Sequence, residues 1–313
     1  MNILIWLIVI VLLLYVFVVA NSARLLIKPK RQQLWTNPKQ ELGLGYEDVE
    51  FPAQDGIMLS GWFIPATQMP AATVIMVHGW PWNRIGTKAN DFLGDLPGSK
   101  PINLLPFAKA LRDRNYNVLM FDLRNHGQSS AKIPLTSGWL EKRDLLGAIR
   151  YAKSRNEVDP NRIGTIGFSM GGNTVVFTLP HSTDIKAAVA VQPNTSAVFG
   201  QRYRADKFGP LAQILGSSVE ILYRLSGGPS TAFIEPAYEA ANSRDIPVLY
   251  VQGTGDKWGS IADVANMVAS TPNAVEPLYP ETDHRFGGYQ YVIDQPDKVL
   301  AFFDQYLGNT SSI

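Results

Sequence analysis

The sequence predicts an α/β domain with a mostly parallel central sheet, and three observations carry that prediction. Short runs of β-branched and other apolar residues recur along the chain, and most end at a glycine or a polar residue. Stretches with apolar residues on one helical face lie between those runs. An antiparallel hairpin precedes the first of them. Alternating strands and helices of this kind form a parallel sheet covered by helices on both faces.

Length and composition narrow the classes of protein to consider. The 313 residues are enough for one large domain or two small ones. The formal net charge is only +1, and no basic stripe or acidic tail stands out, so we expect no nucleic-acid partner. The chain has no cysteine. This excludes a disulfide scaffold, a thiol nucleophile and a thiolate metal site.

The N-terminus is unlike the rest of the chain. Residues 3–20 read ILIWLIVIVLLLYVFVVA and carry no charge. About 18 apolar residues at 1.5 Å each come close to crossing a hydrocarbon core of about 30 Å. The alternative is a cleaved signal peptide, for which residues 18–20 are a compatible cleavage site. Against it, nothing basic precedes the run, which exceeds the usual 7–15 residues or so of a signal peptide.

We therefore predict a single-pass membrane anchor over residues 1–22. A basic cluster follows the apolar run and is expected on the cytoplasmic side, which places the remaining chain in the cytoplasm. The cluster consists of Arg24, Lys28, Lys30 and Arg31. Residues 23–45, with Pro29 and Pro38, are predicted to form a basic juxtamembrane linker. The globular domain is predicted over residues 46–310.

The domain opens with a hairpin and continues with buried strands. YEDVEF and MLSGWFIP flank Gln54-Asp55-Gly56, whose Asp-Gly pair is a strong turn signal. Apolar runs then predict strands buried on both faces. They cover residues 72–77, 117–121, 163–168, 187–191 and 247–251. Spacings of i, i+3, i+4, i+7 predict two helices, through Leu145, Ala148, Ile149 and Ala152, and through Val299, Phe302, Phe303 and Tyr306.

Two insertions interrupt the alternation of strands and helices. One covers residues 80–101 and holds Trp80, Trp82 and Phe92. The other covers about residues 194–243 and has helical periodicity around residues 211–225. Loops this long in a compact domain are usually functional. We predict that the second insertion is a cap over the functional site.

A glycine-rich turn is the main candidate for chemistry. Residues 167–171 read GFSMG, after a predicted strand and before a predicted helix. A nucleophilic serine exposed on such a turn leaves no room for side chains two residues before and after it, so glycine suits both places. Two alternatives are an inert serine in a tight turn and a dinucleotide-binding loop. The second is discounted because GTIGFSMGG lacks the G-x-G-x-x-G spacing.

Five motifs in order give this turn a context. They are IMVHGW at 75–80, FDLRNHGQSS at 121–130, GFSMGG at 167–172, PVLYVQGTGD at 247–256 and DHRF at 283–286. In these motifs the chain resembles the α/β-hydrolase superfamily over nearly everything after the linker. It looks most like the serine hydrolases that include acyl esterases, lysophospholipase-like enzymes and serine aminopeptidase-like proteins. The resemblance implies the α/β-hydrolase fold and a triad in the order Ser, Asp or Glu, His.

This order makes Ser169 the nucleophile and selects among the four histidines. By resemblance His78 belongs to the oxyanion loop and holds it in place. His126 is assigned a structural role in a turn where the family often has glycine at the place of Asn125. His181 is expected on the surface. His284, in a loop after every predicted strand, is the predicted general base.

The predicted acid is Asp256, because it follows a strand and so lies at the sheet edge that carries Ser169. Its carboxylate would fix the tautomer of the base. Asp245 precedes that strand, Asp263 lies on the next helix, and Asp283 is directly adjacent to His284; all three are less suitable.

The resemblance also assigns the oxyanion donors, which are the backbone N–H groups of Trp80 and Met170. Asp122 and Arg124 offer a second carboxylate or an anion site, but in the family such residues stiffen loops beneath the active site, and that interpretation is favoured here. No grouping of His, Asp and Glu has metal-ligand spacing. We therefore expect neither a metal nor a cofactor.

The resulting hypothesis is a serine hydrolase that forms an acyl-enzyme. A small-molecule or lipid-like ester or thioester with a hydrophobic acyl group is the expected substrate, on the strength of the anchor and of aromatic residues in the loops. Those residues are Trp80, Trp82, Phe92 and Phe199. Ordinary core and lid packing would explain the same aromatics.

Two other functions stay open from the sequence. A serine aminopeptidase-like enzyme would use the same triad but needs a charged site for the free amine of its substrate. Glu220, Glu235 and Glu239 would supply such a site or form a solvated face. A catalytically inactive protein of the same fold would bind a ligand or partner, although it has no need for an ordered Ser, Asp and His.

Overall fold

A seven-stranded sheet forms the centre of the molecule, in the order β1-β2-β6-β3-β7-β8-β9. The computed structural model describes residues 2–91 and 94–308, so Phe92 and residues 309 and 310 of the predicted domain lie outside it. The strands are β1 (Glu47–Pro52), β2 (Met58–Ile64), β3 (Ala71–Val77), β6 (Asn117–Phe121), β7 (Val158–Phe168), β8 (Ile185–Val191) and β9 (Val248–Val251). A separate two-stranded sheet pairs β4 (Gly86–Thr87) with β5 (Ile102–Asn103).

The α-helices lie at the N-terminus, on the two faces of the sheet and in the insertion after β8. They are α1 (Asn2–Ile27), α2 (Pro38–Leu42), α3 (Leu105–Asp113), α4 (Lys142–Lys153), α5 (Met170–Thr178), α6 (Ser196–Phe208), α7 (Ala212–Leu225), α8 (Pro236–Ala240), α9 (Ile261–Ser270), α10 (Gly287–Asp294) and α11 (Asp297–Leu307). The two helices predicted from apolar spacing are α4 and α11.

The strand pairing brings several strand ends to one edge. β3, β6, β7, β8 and β9 run parallel, as predicted, and β1 and β2 form the predicted antiparallel hairpin. Val77 is in register with both Phe121 and Gly167, and Val191 is in register with both Phe168 and Val251. Because these strands end together, the residues that follow them meet at the carboxyl edge, where α/β proteins place their ligands.

Apolar side chains cover both faces of the sheet. One cluster packs the sheet against α3, α10 and α11, and the other packs it against α4, α5, α8 and α9. The four predicted apolar residues of α4 are all buried, and so are three of the four in α11, Tyr306 being partly exposed. Period-3.6 spacing therefore located the buried helix faces correctly.

The N-terminal helix and the insertion after β8 pack on each other. α1 continues past residue 22, the predicted end of the anchor, to Ile27. Its segment Ile3–Ile27 contains an 18-residue window with a mean hydropathy of 3.4 and is long enough to cross a membrane. Val19 and Ala23 of α1 form a small buried cluster with Leu215 and Val219 of α7. The domain boundaries at residues 22 and 45 stay predictions.

Candidate active site

Ser169 occupies a strained turn between β7 and α5. Its backbone has φ 54° and ψ −116°, a region that residues with a side chain rarely adopt. A Cβ at Gly167 would lie 2.0 Å from the carbonyl oxygen of Gly171. A Cβ at Gly171 would lie 2.2 Å from the carbonyl oxygen of Val77. The predicted need for glycine on both sides of the serine is therefore confirmed by the geometry.

Asp256 is a buried carboxylate surrounded by donors. Its side chain is fully buried. Oδ1 accepts from the backbone N–H groups of Trp258 and Gly259, at 3.0 and 2.8 Å. Oδ2 accepts from the side-chain amides of Gln192 and Gln252, at 3.0 and 3.2 Å. These bonds fix the carboxylate at the same sheet edge as Ser169.

Arg285 lies between Asp256 and Ser169. Its Nη1 forms an ion pair with Oδ2 of Asp256, and its Nη2 donates a hydrogen bond of 3.0 Å to Oγ of Ser169. Burial opposes the charged guanidinium, but the Asp256 carboxylate outweighs it, so the pKa of Arg285 is raised. A guanidinium of this kind stays protonated and cannot accept a proton from the serine.

The imidazole of His284 lies outside this arrangement. Its Nδ1 accepts from the backbone N–H of Phe286 at 3.1 Å, and its Nε2 lies 3.6 Å from Oδ1 of Asp283. Its side chain is 31% exposed. No hydrogen bond joins His284 to Ser169 or Asp256, all three of which belong to the described part of the chain. The structure thus brings Ser169 and Asp256, two of the three predicted triad residues, to one site. Arg285, the residue that follows the predicted base in the chain, lies between them in the place of His284.

Two neighbours of this site were not identified from the sequence. Gln192 directly follows β8, has φ 48° and donates both to Asp256 and to the carbonyl of Arg285. Tyr289, on α10, has a buried hydroxyl that faces Ser169 and Gln192. Burial raises the pKa of Tyr289 to about 12 although the Arg285 charge acts in the opposite direction. The signals in the sequence are a polar residue at a strand end and an aromatic after Gly287-Gly288.

The residues predicted as oxyanion donors, Trp80 and Met170, line the same cavity as Ser169. Met170 is the first residue of α5, so its N–H has no acceptor within the helix. Trp80 follows β3 in a loop that His78 holds, as predicted. The Nδ1 of His78 bonds the carbonyl of Gly79 at 2.7 Å, and its Nε2 accepts from the backbone of Leu123 at 3.0 Å. Met170 and Trp80 stay predictions as donors.

Asp122 stabilises a loop beneath the site, as predicted. It accepts from the backbone N–H and the guanidinium of Arg84 and from the backbone of Gln128. Asn125 takes the left-handed conformation, with φ 69°, at the place where the family often has glycine.

Arg124 and His126 also have structural contacts. Arg124 pairs with Asp144 and Asp55, which ties the turn to α4 and to the hairpin. The Nδ1 of buried His126 bonds the carbonyl of Arg124, whereas His181 is exposed at the end of the short turn Leu179–His181 that follows α5. These contacts agree with the roles predicted for the three residues.

A cavity of about 860 Å³ opens above Ser169. Pockets of this size accommodate small-molecule ligands. Trp80 and Phe199 line it, and Trp82 packs at its base against Tyr289. Its walls come from α1, from the insertion helices α6 and α7, and from the loops after β3 and β9. Among residues 2–91 and 94–308, no group of three or more His, Asp and Glu side chains has the arrangement of a metal site.

The three cap glutamates are arranged differently from one another. Glu220 lines the cavity, but its two carboxylate oxygens accept from the backbone N–H and the hydroxyl of Thr231, at 3.1 and 2.9 Å. Glu239 lies 3.9 Å from the ammonium of Lys142, away from the cavity. Glu235 precedes α8 and does not line the cavity either.

Comparison with known proteins agrees with this architecture. A family model described as alpha/beta hydrolase fold matches residues 72–214, which include Ser169. The uncharacterized protein YfhR of Salmonella typhimurium is 29% identical over 83% of this chain and 82% of its own length. The crystallised esterase Pf2001 of Pyrococcus furiosus has a TM-score of 0.68 and 26% identity, with 90% of this chain and all of the esterase covered.

A peptidase is also among the structural relatives. The acylaminoacyl peptidase of Pyrococcus horikoshii covers 86% of this chain and 42% of the peptidase, with a TM-score of 0.59 and 15% identity. At that identity the likeness concerns the fold alone.

Proposed function

Since the chain belongs to the α/β-hydrolase superfamily, we propose that it is a serine hydrolase that cleaves a carboxylic ester or thioester. Ser169 is the nucleophile, His284 the base and Asp256 the group that orients the base. The observation that carries the proposal is the strained backbone of Ser169, at φ 54°. Strain of this kind costs about 1–3 kcal/mol and is typical of positions where function requires it.

The proposed mechanism requires an exchange of two adjacent side chains. Arg285 now holds the place between Ser169 and Asp256 that a base would need. A shift of the loop 282–286 that carries His284 inward and Arg285 outward would place an imidazole against the carboxylate. Apo structures often have loose catalytic hydrogen bonds that form only with substrate, so such a shift is compatible with the fold.

The chemistry then follows in two halves. Oγ of Ser169 attacks the acyl carbon while His284 takes its proton, and the N–H groups of Met170 and Trp80 bind the oxyanion. The carbon–oxygen or carbon–sulfur bond to the leaving group breaks as His284 returns the proton to it. Water, deprotonated by His284, then attacks the acyl-enzyme and releases the acid and free Ser169.

Hydrolysis of p-nitrophenyl butyrate by the purified full chain tests this proposal. We expect turnover by the wild type and a loss of about 10⁴-fold or more for Ser169→Ala and for His284→Gln. Aminoacyl p-nitroanilides serve as the comparison substrates. Faster turnover of the anilides than of the ester would instead support the aminopeptidase. For that function the carboxylate of Glu220 would have to bind the free amine of the substrate, although both of its oxygens already accept from Thr231.

A membrane anchor is part of the same proposal. Residues 3–14 of α1 are almost entirely exposed and apolar, and the basic residues follow at its end. We expect the domain on the cytoplasmic side. A C-terminal tag should be inaccessible to reagents added outside intact cells. Labelling of the tag from outside would show that the domain has the opposite orientation.

The contact between Arg285 and Ser169 favours one second candidate, a catalytically inactive binding protein of the same fold. In that case the buried guanidinium would hold an anionic ligand at the serine. Binding of carboxylates that is lost in Arg285→Gln, together with no ester turnover, would support it over the hydrolase.

A further inference from the structure

The cavity above Ser169 reaches the apolar surface of α1. Six residues of this helix form one cavity wall, namely Phe17, Val18, Asn21, Ser22, Leu25 and Leu26. Phe17 belongs to that wall and is also 57% exposed, in line with the apolar residues of the anchor. The segment proposed to lie in the membrane is therefore continuous with the wall of the candidate active site.

α1 is bonded to the domain at both ends of this wall. The hydroxyls of Tyr15 and of Ser218 on α7 lie 2.6 Å apart. The indole of Trp80, in the loop that carries the proposed oxyanion donor, donates to the carbonyl of Leu25 at 3.2 Å. Together with the buried cluster of Val19 and Ala23, these contacts fix α1 against the cap.

An apolar stripe on the cap runs beside α1. Ser218 lies in the middle of a row of exposed apolar residues that recur at helical spacing along α7 and the turn before it. The row consists of Leu211, Ile214, Ile221 and Leu225, each at least 59% exposed. Because Ser218 is bonded to Tyr15, this row adjoins the exposed face of α1. Contiguous exposed apolar surface of this kind marks contact with a membrane or a partner.

We propose that the bilayer covers this surface and that the cavity receives the acyl chain of a membrane-resident ester, which enters beside Phe17, where the cavity wall meets the exposed face of α1, and extends to Ser169. The proposal rests on the proposed hydrolase function and names its substrate class: long-chain acyl lipids within the membrane. We infer a membrane lipid as the ligand because α1, the helix proposed to enter the membrane, also lines the cavity. α1 is accordingly a wall of the acyl site in addition to being an anchor.

Two tryptophan substitutions in α1 test the role of this wall. Ser22 lines the cavity, whereas Ala20 is exposed and does not line it. In phosphatidylcholine vesicles we expect Ser22→Trp to lower kcat/KM for p-nitrophenyl palmitate about tenfold more than it lowers kcat/KM for the butyrate, because only the longer chain extends along α1. Ala20→Trp should change neither. Equal losses on both esters, or equal behaviour of the two variants, would overturn the proposal.

A photocrosslinking measurement separates this proposal from the hydrolase proposal because it needs no turnover. The probe is a phosphatidylcholine with a diazirine at the end of one acyl chain, in vesicles that contain the full-length Ser169→Ala variant. We expect adducts on peptides with Met170 or Trp258, lost when Ser22→Trp is added and retained with Ala20→Trp. Adducts confined to residues 3–17 would refute the acyl site. Adducts at Met170 without ester turnover by the wild type would support the site and refute the hydrolase.

Discussion

The guanidinium of Arg285 donates a hydrogen bond of 3.0 Å to the hydroxyl of Ser169 while it pairs with the buried carboxylate of Asp256. In this arrangement the serine faces a permanent cation, and the imidazole of His284 points towards Asp283 instead. Activity by the proposed mechanism therefore depends on breaking the pair of Arg285 and Asp256.

Arg285→Gln should speed the reaction of Ser169 with a fluorophosphonate and lower the stability of the fold. If breaking the ion pair of Arg285 and Asp256 adds about 1.4 kcal/mol to the barrier for the exchange of Arg285 and His284, removing the guanidinium speeds labelling about tenfold. The unpaired carboxylate of Asp256 should cost about 3 kcal/mol of folding free energy, seen as a lower Tm. Adding His284→Gln should abolish the gain. A folded Arg285→Gln variant that no longer labels would show that the arginine itself is needed.

Asp256→Asn should lower kcat for ester hydrolysis about 10⁴-fold, because an amide cannot hold the imidazole in the required tautomer. Asp283→Asn is the matched control. Its carboxylate is 92% exposed and lies near His284, so its loss should change kcat by less than about twofold. The opposite pattern would assign the acid to Asp283.

Gly171→Ala should prevent correct folding or destabilise the protein by about 3 kcal/mol or more, because its Cβ would overlap the carbonyl of Val77. Gly45→Ala is the control, since a Cβ there meets nothing within 4 Å. Its effect on Tm should be within the scatter of surface substitutions. Similar Tm values for both variants would contradict the close approach of α5 and β3.

Stability should fall as the pH drops below neutrality. Burial, with a further contribution from His78, lowers the pKa of His126 to about 3, while an unfolded histidine titrates near 6.5. The unfolded chain therefore binds the extra proton between these values. The free energy of unfolding is fully retained above about pH 6.5 and decreases by up to about 1.4 kcal/mol per pH unit down to about 3.

His126→Asn tests this assignment, because an asparagine amide can still donate to the carbonyl of Arg124. Unfolding in urea between pH 7.5 and 5 should show a pH slope reduced by about one proton. His181→Asn, at an exposed site, should leave most of the slope in place. A slope that His126→Asn does not change would place the acid sensitivity elsewhere.

The sequence was sufficient for most of the fold. Apolar runs located β3, β6 and β8 to within two residues, since a strand buried on both faces has little choice of composition. The tight turn at Ser169 was equally predictable, because the backbone packs so closely at residues 167 and 171 that only glycine fits there.

The contacts of His284 and Arg285 were beyond such reasoning. In an irregular loop, adjacent residues point in different directions, and a change in a few dihedral angles decides which of them faces the carboxylate. The roles of Gln192 and Tyr289 depend on the same loop, because both lie against Arg285. The face of α1 that lines the cavity could not be predicted from the sequence for another reason. A helix that is apolar on all sides has no periodicity to mark the face that packs.

Fluorophosphonate labelling of the full chain, followed by mass spectrometry of its peptides, tests most directly whether Ser169 is an activated nucleophile. We predict one covalent adduct, on the peptide that carries Ser169, and none on Ser169→Ala or after heat denaturation. An unlabelled wild type, or an adduct that persists in Ser169→Ala, would contradict the account.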